Sequence, residues 1–196
     1  MAIVPREREV PPPSAVFRSA VRHLLPKASV CVDHFHLVKL AGDALTGMRR
    51  RVSWERHDRR GRKVDLAWAH RLLLRGYDTL SEHGKARLDH ILATDAPTNQ
   101  IGAAWGVKEQ LRIQLASSDK ATARAARAKF NQYVTWAAMP ETTRLKKTID
   151  TWWPEIETFI TTRVTNVPTE AANTTIKHIK RTAAGSPTTT TTDAAS

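Results

Sequence analysis

The sequence predicts a mainly helical protein with one short strand near residues 28–33. Two patterns carry that expectation. From about Asp65 to Val164, apolar residues recur at three- and four-residue spacing, the period of a helix face turned toward a core. The segment "ASVCVD" is instead short, β-branched and apolar, and reads as a buried strand ending at Asp33. Hydrophobic residues make up 41% of the 196 and six are Trp, so a core can form.

Residues 1–13 are expected to be disordered or extended, because Pro11, Pro12 and Pro13 cannot continue a helix. Ser14 can cap a helix to about Leu25, with Val16, Phe17, Val21 and Leu24 on one face and Pro26 ending it. After the strand, a helix is expected from His36 through the forties, with Leu37, Leu40, Ala44, Leu45 and Met48 in phase. The next stretch, "RRRVSWERHDRRGRK" at 49–63, holds eight Lys or Arg side chains against two acids. It reads either as a solvated, partly flexible connector or as an arm contacting phosphates, in which Trp54 either stacks on a base or anchors to a core.

Helical stripes follow. Leu66, Leu72, Leu73, Tyr77 and Leu80 form the first, and Leu88, Ile91 and Leu92 the second. Pro97 marks a boundary before Val107, Leu111 and Leu115. An Ala-rich helix over 121–138 carries Phe130, Tyr133 and Val134, and Pro140 breaks it. Leu145, Ile149, Trp152, Ile156, Phe159 and Ile160 then line one side, and Pro154 is expected to kink or divide that helix. The Trp residues of this region are read as core. Beyond Gly185, "SPTTTTTDAAS" is low-complexity and expected to be disordered.

The formal charge is +12, from 31 Lys and Arg against 19 Asp and Glu. Such a balance suits a polyanionic partner, nucleic acid being the commonest, although a solvated basic surface would look alike. One cysteine, Cys31, rules out an internal disulfide framework and reads as a small buried hydrophobe. No apolar run is long enough to span a membrane, and "MAIVPREREVPPPS" lacks the apolar region of a signal peptide. A cytoplasmic location is the resulting expectation. No CxxC pair, GxSxG elbow or phosphate-binding glycine loop is present.

Two constellations could carry chemistry. In "TNVPTEAANTTIKHIKRTAAG", Asn166 can cap a helix and Pro168 suits its first turn. On that helix Glu170, Asn173, Lys177 and Arg181 are spaced three, four and four, and share a face. This is either an ordinary exposed face matched to the helix dipole, or a metal-binding carboxylate followed by phosphate binders. In "VDHFH", Asp33 closes the strand with His36 three residues on, which suits helix capping by Asp33 or a place in a crevice at the strand end.

The segments "PPSAVFRSAVRHLLPKASVCVDHFHLVKLAGDAL", "RLLL" and "TNVPTEAANTTIKHIKRTAAG" together resemble the catalytic domain of bacterial insertion-sequence transposases of the DDE type, in the ISL-type family. The resemblance covers roughly residues 10–185. It implies a remnant of an α/β ribonuclease H-like fold. Residues 28–33 would be its fifth strand, about 37–164 a large helical insertion, and 166–183 the helix bearing the last acid. In that family three acids bind two Mg²⁺ ions that activate water and then a 3′-hydroxyl against DNA phosphates. The resemblance puts Glu170 at the third acid, as a catalytic and metal-binding residue. It puts Asp33 and His36 at the accessory motif, and Asn173, Lys177 and Arg181 at the positions after the Glu. Arg49, Arg50 and Arg51 join the last three as expected DNA contacts.

The sequence departs from the family at its edges. Pro12 stands where the second acid belongs. The first acid, the first four strands and the zinc-binding and helix-turn-helix parts would lie before residue 1. A Thr run replaces the family's aromatic, Arg-rich continuation after Gly185. The expectation is a partial catalytic domain over 14–185 in a truncated or frameshifted copy, catalytically inactive, with DNA as partner and a homo-oligomer possible. Two alternatives stand beside it: a non-catalytic basic helical protein that binds DNA or a sister transposase, and a pseudogene product that folds poorly.

Overall fold

The computed structural model describes residues 23–24, 32, 34–65, 68–95 and 98–163. Among these, seven α-helices and one 3₁₀ turn account for the architecture, and no strand occurs. The mainly helical expectation therefore holds. Of the expected strand only Val32 is described, and it is buried in the core. The N-terminal segment 1–13, nearly all of the helix expected from Ser14, the helix bearing Glu170 and the Thr-rich tail lie outside the described residues.

Helix α1, His34–His57, is the spine. Leu37, Ala41, Leu45, Met48 and Val52 repeat at three and four and are all buried. Helix α4, Gln100–Leu115, lies beside it. Leu37 and Ala41 from the start of α1 share a core with Val107, Leu111 and Leu115 from the end of α4. Leu45, Met48 and Val52 share a second core with Ile101 and Ala104 from the start of α4. The two helices therefore run antiparallel, and each threads both cores.

Helix α5, Lys120–Ala137, packs along α4. Gly106 shows how closely: a Cβ there would stand 2.9 Å from the Tyr133 ring. Asp119 caps α5 by accepting from the Thr122 amide at 2.9 Å. Helix α6, Pro140–Thr151, opens on its proline, and α7, Trp153–Thr162, begins after a break at Trp152. Pro140 and Pro154 thus act as the sequence suggested, each in a first helical turn where a missing N–H costs nothing. Leu145, Ile149, Trp152, Ile156, Phe159 and Ile160 fill the first core.

The remaining elements are short. Helix α2, His70–Leu74, and the 3₁₀ turn Tyr77–Thr79 lead into α3, Glu82–Thr94, which is capped by the Ser81 hydroxyl. Leu73, Leu80, Leu88 and Ile91 go to the second core, whereas Tyr77 stays exposed. Lys108 is buried beside this turn, where it pairs with Glu109 at 2.7 Å and donates to the Leu73 carbonyl at 2.9 Å. Desolvation there lowers its pKa below the ordinary lysine value despite the Glu109 partner.

Two expectations need correction. Residues 49–57 are not a connector but the last turns of α1. The segment has no Gly or Pro before residue 58, buries Met48 and Val52 four residues apart, and gains an Arg51–Glu55 pair at the same spacing. The tryptophans also divide. Trp152 is buried and Trp105 and Trp153 are partly buried, but Trp68 and Trp136 are exposed. No helix among the described residues is long and apolar enough to cross a membrane.

Candidate nucleic-acid interface

The buried side of α1 fixes what its other side presents. At 100° per residue, His36, Lys39, Asp43, Arg50, Trp54 and His57 fall opposite the core stripe, and all six are exposed. His36 and Trp54 stand about five turns apart, roughly 27 Å along the axis, pointing the same way. Asp43 is paired with Lys39 at 2.7 Å. Trp54 keeps 54% of its surface exposed.

The loop after α1 is closed on itself by one carboxylate. Asp65 accepts from both terminal nitrogens of Arg59, at 2.8 and 3.0 Å, and from the Arg62 amide at 2.6 Å. His57 Nε2 lies 3.6 Å away. The Asp65 backbone carbonyl accepts from the Trp68 amide at 2.9 Å, which starts the next segment from the same point. Gly61 lies between Ser53 and Trp68: a Cβ there would stand 3.0 Å from the Ser53 hydroxyl and 3.7 Å from the Trp68 ring. A side chain at 61 would need Ser53 or the loop to give by a few tenths of an ångström.

This geometry sorts the basic run into two sets. Arg51 forms a double hydrogen bond with Glu141, and a further donor reaches Gln100 at 2.9 Å. Arg56 pairs at 2.8 Å with Asp95, whose other oxygen accepts from the Ile101 amide at 2.6 Å near the start of α4. Arg59 is taken by Asp65. Arg51 and Arg56 tie the spine to its surroundings, and Arg59 closes the loop that follows it. Arg49 is half-buried, and burial together with Arg50 beside it lowers its pKa from the usual value. Arg50, Arg60, Arg62 and Lys63 are exposed, and none has a carboxylate partner among the described residues. Asp58, also exposed, is an acid of this loop without a cation among them. The result is a cluster of cations with two exposed tryptophans at one end of α1, a composition that suits a polyanion carrying flat rings.

Arg59 and the Arg62 amide hold the Asp65 carboxyl well below the usual carboxylate range. A depressed pKa means that the contribution is complete above the ordinary range and is lost only as pH falls beneath it. The pinned loop, read as hydrogen-exchange protection of the Arg62 amide, is therefore expected to survive through about pH 4, where free carboxylates protonate. Asp65→Asn removes that protection at every pH. It should also weaken binding to a duplex oligonucleotide several-fold although it adds a positive charge. Unchanged affinity would show that the loop's shape is irrelevant to binding.

Of the residues picked out in the sequence, His36 lies on the exposed face of α1, on the same side as Arg50 and Trp54. Asp33, Glu170, Asn173, Lys177 and Arg181 lie outside the described residues. Among the described residues no three His, Cys, Asp or Glu side chains are grouped to hold a metal ion. Sequence reasoning missed Asp65 and Gly61 as the organisers of the basic loop. The available signal was an acid closing a basic, glycine-containing turn, "RRGRKVD".

A family model for DDE transposases of the ISL3 type, described as "Transposase", matches residues 13–191. No curated protein and no solved structure matches the chain.

Proposed function

The chain belongs to the ISL3-type family of DDE transposases, and on that premise we propose that it takes part in DNA transposition by holding DNA at the C-terminal end of α1. The observation that carries this reading is the division of residues 49–63. The cations with structural work face carboxylates, and Arg50, Arg60, Arg62 and Lys63 are left facing solvent together. Clustered cations on a fixed frame release counterions from DNA at little ordering cost, so affinity depends steeply on salt.

For the chemical step, Glu170 is proposed as the third acid of the family's triad and a ligand for Mg²⁺, with Asn173, Lys177 and Arg181 after it on one helix face. The metal, when bound, would activate the attacking oxygen and neutralise charge on the phosphate. Asp33 and His36 are proposed as the accessory pair. The side of α1 that carries both His36 and Trp54 would then lead from the chemistry toward the cation cluster.

The 196 residues taken alone are proposed to bind DNA without cutting it. Pro12 stands where the family's second acid belongs, and one carboxylate cannot assemble a two-metal site. The expected result is retention of a duplex oligonucleotide at low salt, with no nicking of supercoiled plasmid in Mg²⁺ or Mn²⁺. Metal-dependent nicking that disappears in Glu170→Gln would overturn the inactivity, and no binding at any salt would overturn the function itself.

A further inference from the structure

We propose that Trp54 is a stacking platform for an unpaired base, so that the end of α1 receives DNA at a single-stranded overhang or gap rather than only along an intact duplex. The proposal rests on the reading that this end of the helix meets DNA. Trp54 keeps 54% of its surface in water on a helix that buries Leu37, Leu45, Met48 and Val52; Phe35 and Val38 are also exposed, but at the opposite end of the helix, away from the cations. Arg50 precedes it by four residues and His57 follows by three, so both flank it on the same face. Arg50 is about 6 Å away along the axis, within the reach of one nucleotide. The basic loop returns to the same end of α1, where a Cβ on Gly61 would stand 3.0 Å from the hydroxyl of Ser53, the residue before Trp54. A ring beside an arginine binds a base by its face and the backbone by its charge, whatever the base.

The charges at this end select the occupant. Glu55 and Asp65 are already paired with Arg51 and Arg59, so the outward balance is four cations against Asp58. An acidic strand fits that balance, and a second copy of a chain carrying +12 does not. In a duplex interior every base face is covered by its neighbours, so Trp54 can stack only where one is uncovered. His36 lies on the same side of α1, so a strand held here can run along the helix toward the accessory motif.

The test compares a blunt duplex with the same duplex carrying a short single-stranded overhang, by fluorescence anisotropy on the full chain. Wild type is expected to bind the overhang roughly tenfold more tightly, with quenching of tryptophan emission. Trp54→Ala should remove the preference, bringing overhang affinity down to that for the blunt duplex at an unchanged melting temperature, and Trp54→Phe should keep part of the preference. Equal affinity of wild type for the two DNAs overturns this proposal alone. So does an equal loss on both DNAs in Trp54→Ala, or a change of oligomeric state in that variant with DNA binding intact. Failure of wild type to bind either DNA overturns the DNA-holding function as well.

Discussion

Arg51→Met lowers the melting temperature by roughly 6–12 °C and leaves the DNA affinity of the folded protein almost unchanged. Arg51 Nε and one terminal nitrogen hold the two oxygens of Glu141 at 2.9 and 3.2 Å, and the other terminal nitrogen reaches Glu55 and Gln100. Glu141 is only 7% exposed. Removing the guanidinium strands that carboxylate away from water, which costs about 3 kcal/mol, and in a chain of this size each kcal/mol moves the midpoint by about 2–4 °C. Burial alone would raise the Glu141 pKa, but Arg51, with help from the Glu141 backbone amide and the Arg144 charge, outweighs it and the net shift is downward. The stability it confers is thus present above the carboxylate range and is lost as pH falls through it. Arg51→Lys should recover less than half, because an ammonium cannot match both oxygens. Pairing Arg51→Met with Glu141→Leu should recover most of the loss, since no uncompensated charge remains. If Arg51→Met instead weakens DNA binding at unchanged stability, Arg51 is a phosphate contact and the sorting of the basic run is wrong.

The opposite outcome is expected for the outward set. Changing Arg50, Arg60, Arg62 and Lys63 to Gln lowers the net charge from +12 to +8 (12 − 4 = 8). Affinity for duplex DNA near 0.1 M salt should fall by about a hundredfold or more, because each phosphate left without its cation keeps its condensed counterions. The melting temperature should stay within about 2 °C of wild type, as substitutions away from ion pairs and packing are near neutral. The two variant sets thus separate fold from function within one run of fifteen residues.

Local pattern was enough wherever it decides the structure. The stripe from Leu145 to Ile160 is buried, and both prolines sit at helix starts. Pattern could not resolve the basic run, because the partners that sort its arginines are distant in the chain. Glu141 is 90 residues from Arg51, and Asp95 is 39 from Arg56. Local spacing supplied only the Arg51–Glu55 pair. Periodicity also says which residues share a face but not whether another helix covers it, so Trp68 and Trp136 were placed inside and are exposed. For the site, the stretch that matters was visible in its charge, whereas its shape depends on Asp65 and Gly61, which look ordinary until the loop is closed. Glu170 and the residues after it were read by motif, and they lie outside the described residues.

Whether DNA sits at the end of α1 is decided by the salt dependence of duplex binding. Log K is plotted against log salt for wild type and for the Gln variant of Arg50, Arg60, Arg62 and Lys63. The variant's slope should be shallower by about 3–4 units, near 0.9 for each phosphate no longer neutralised. Equal slopes in two folded proteins would contradict the assignment, and would place the DNA on some other surface.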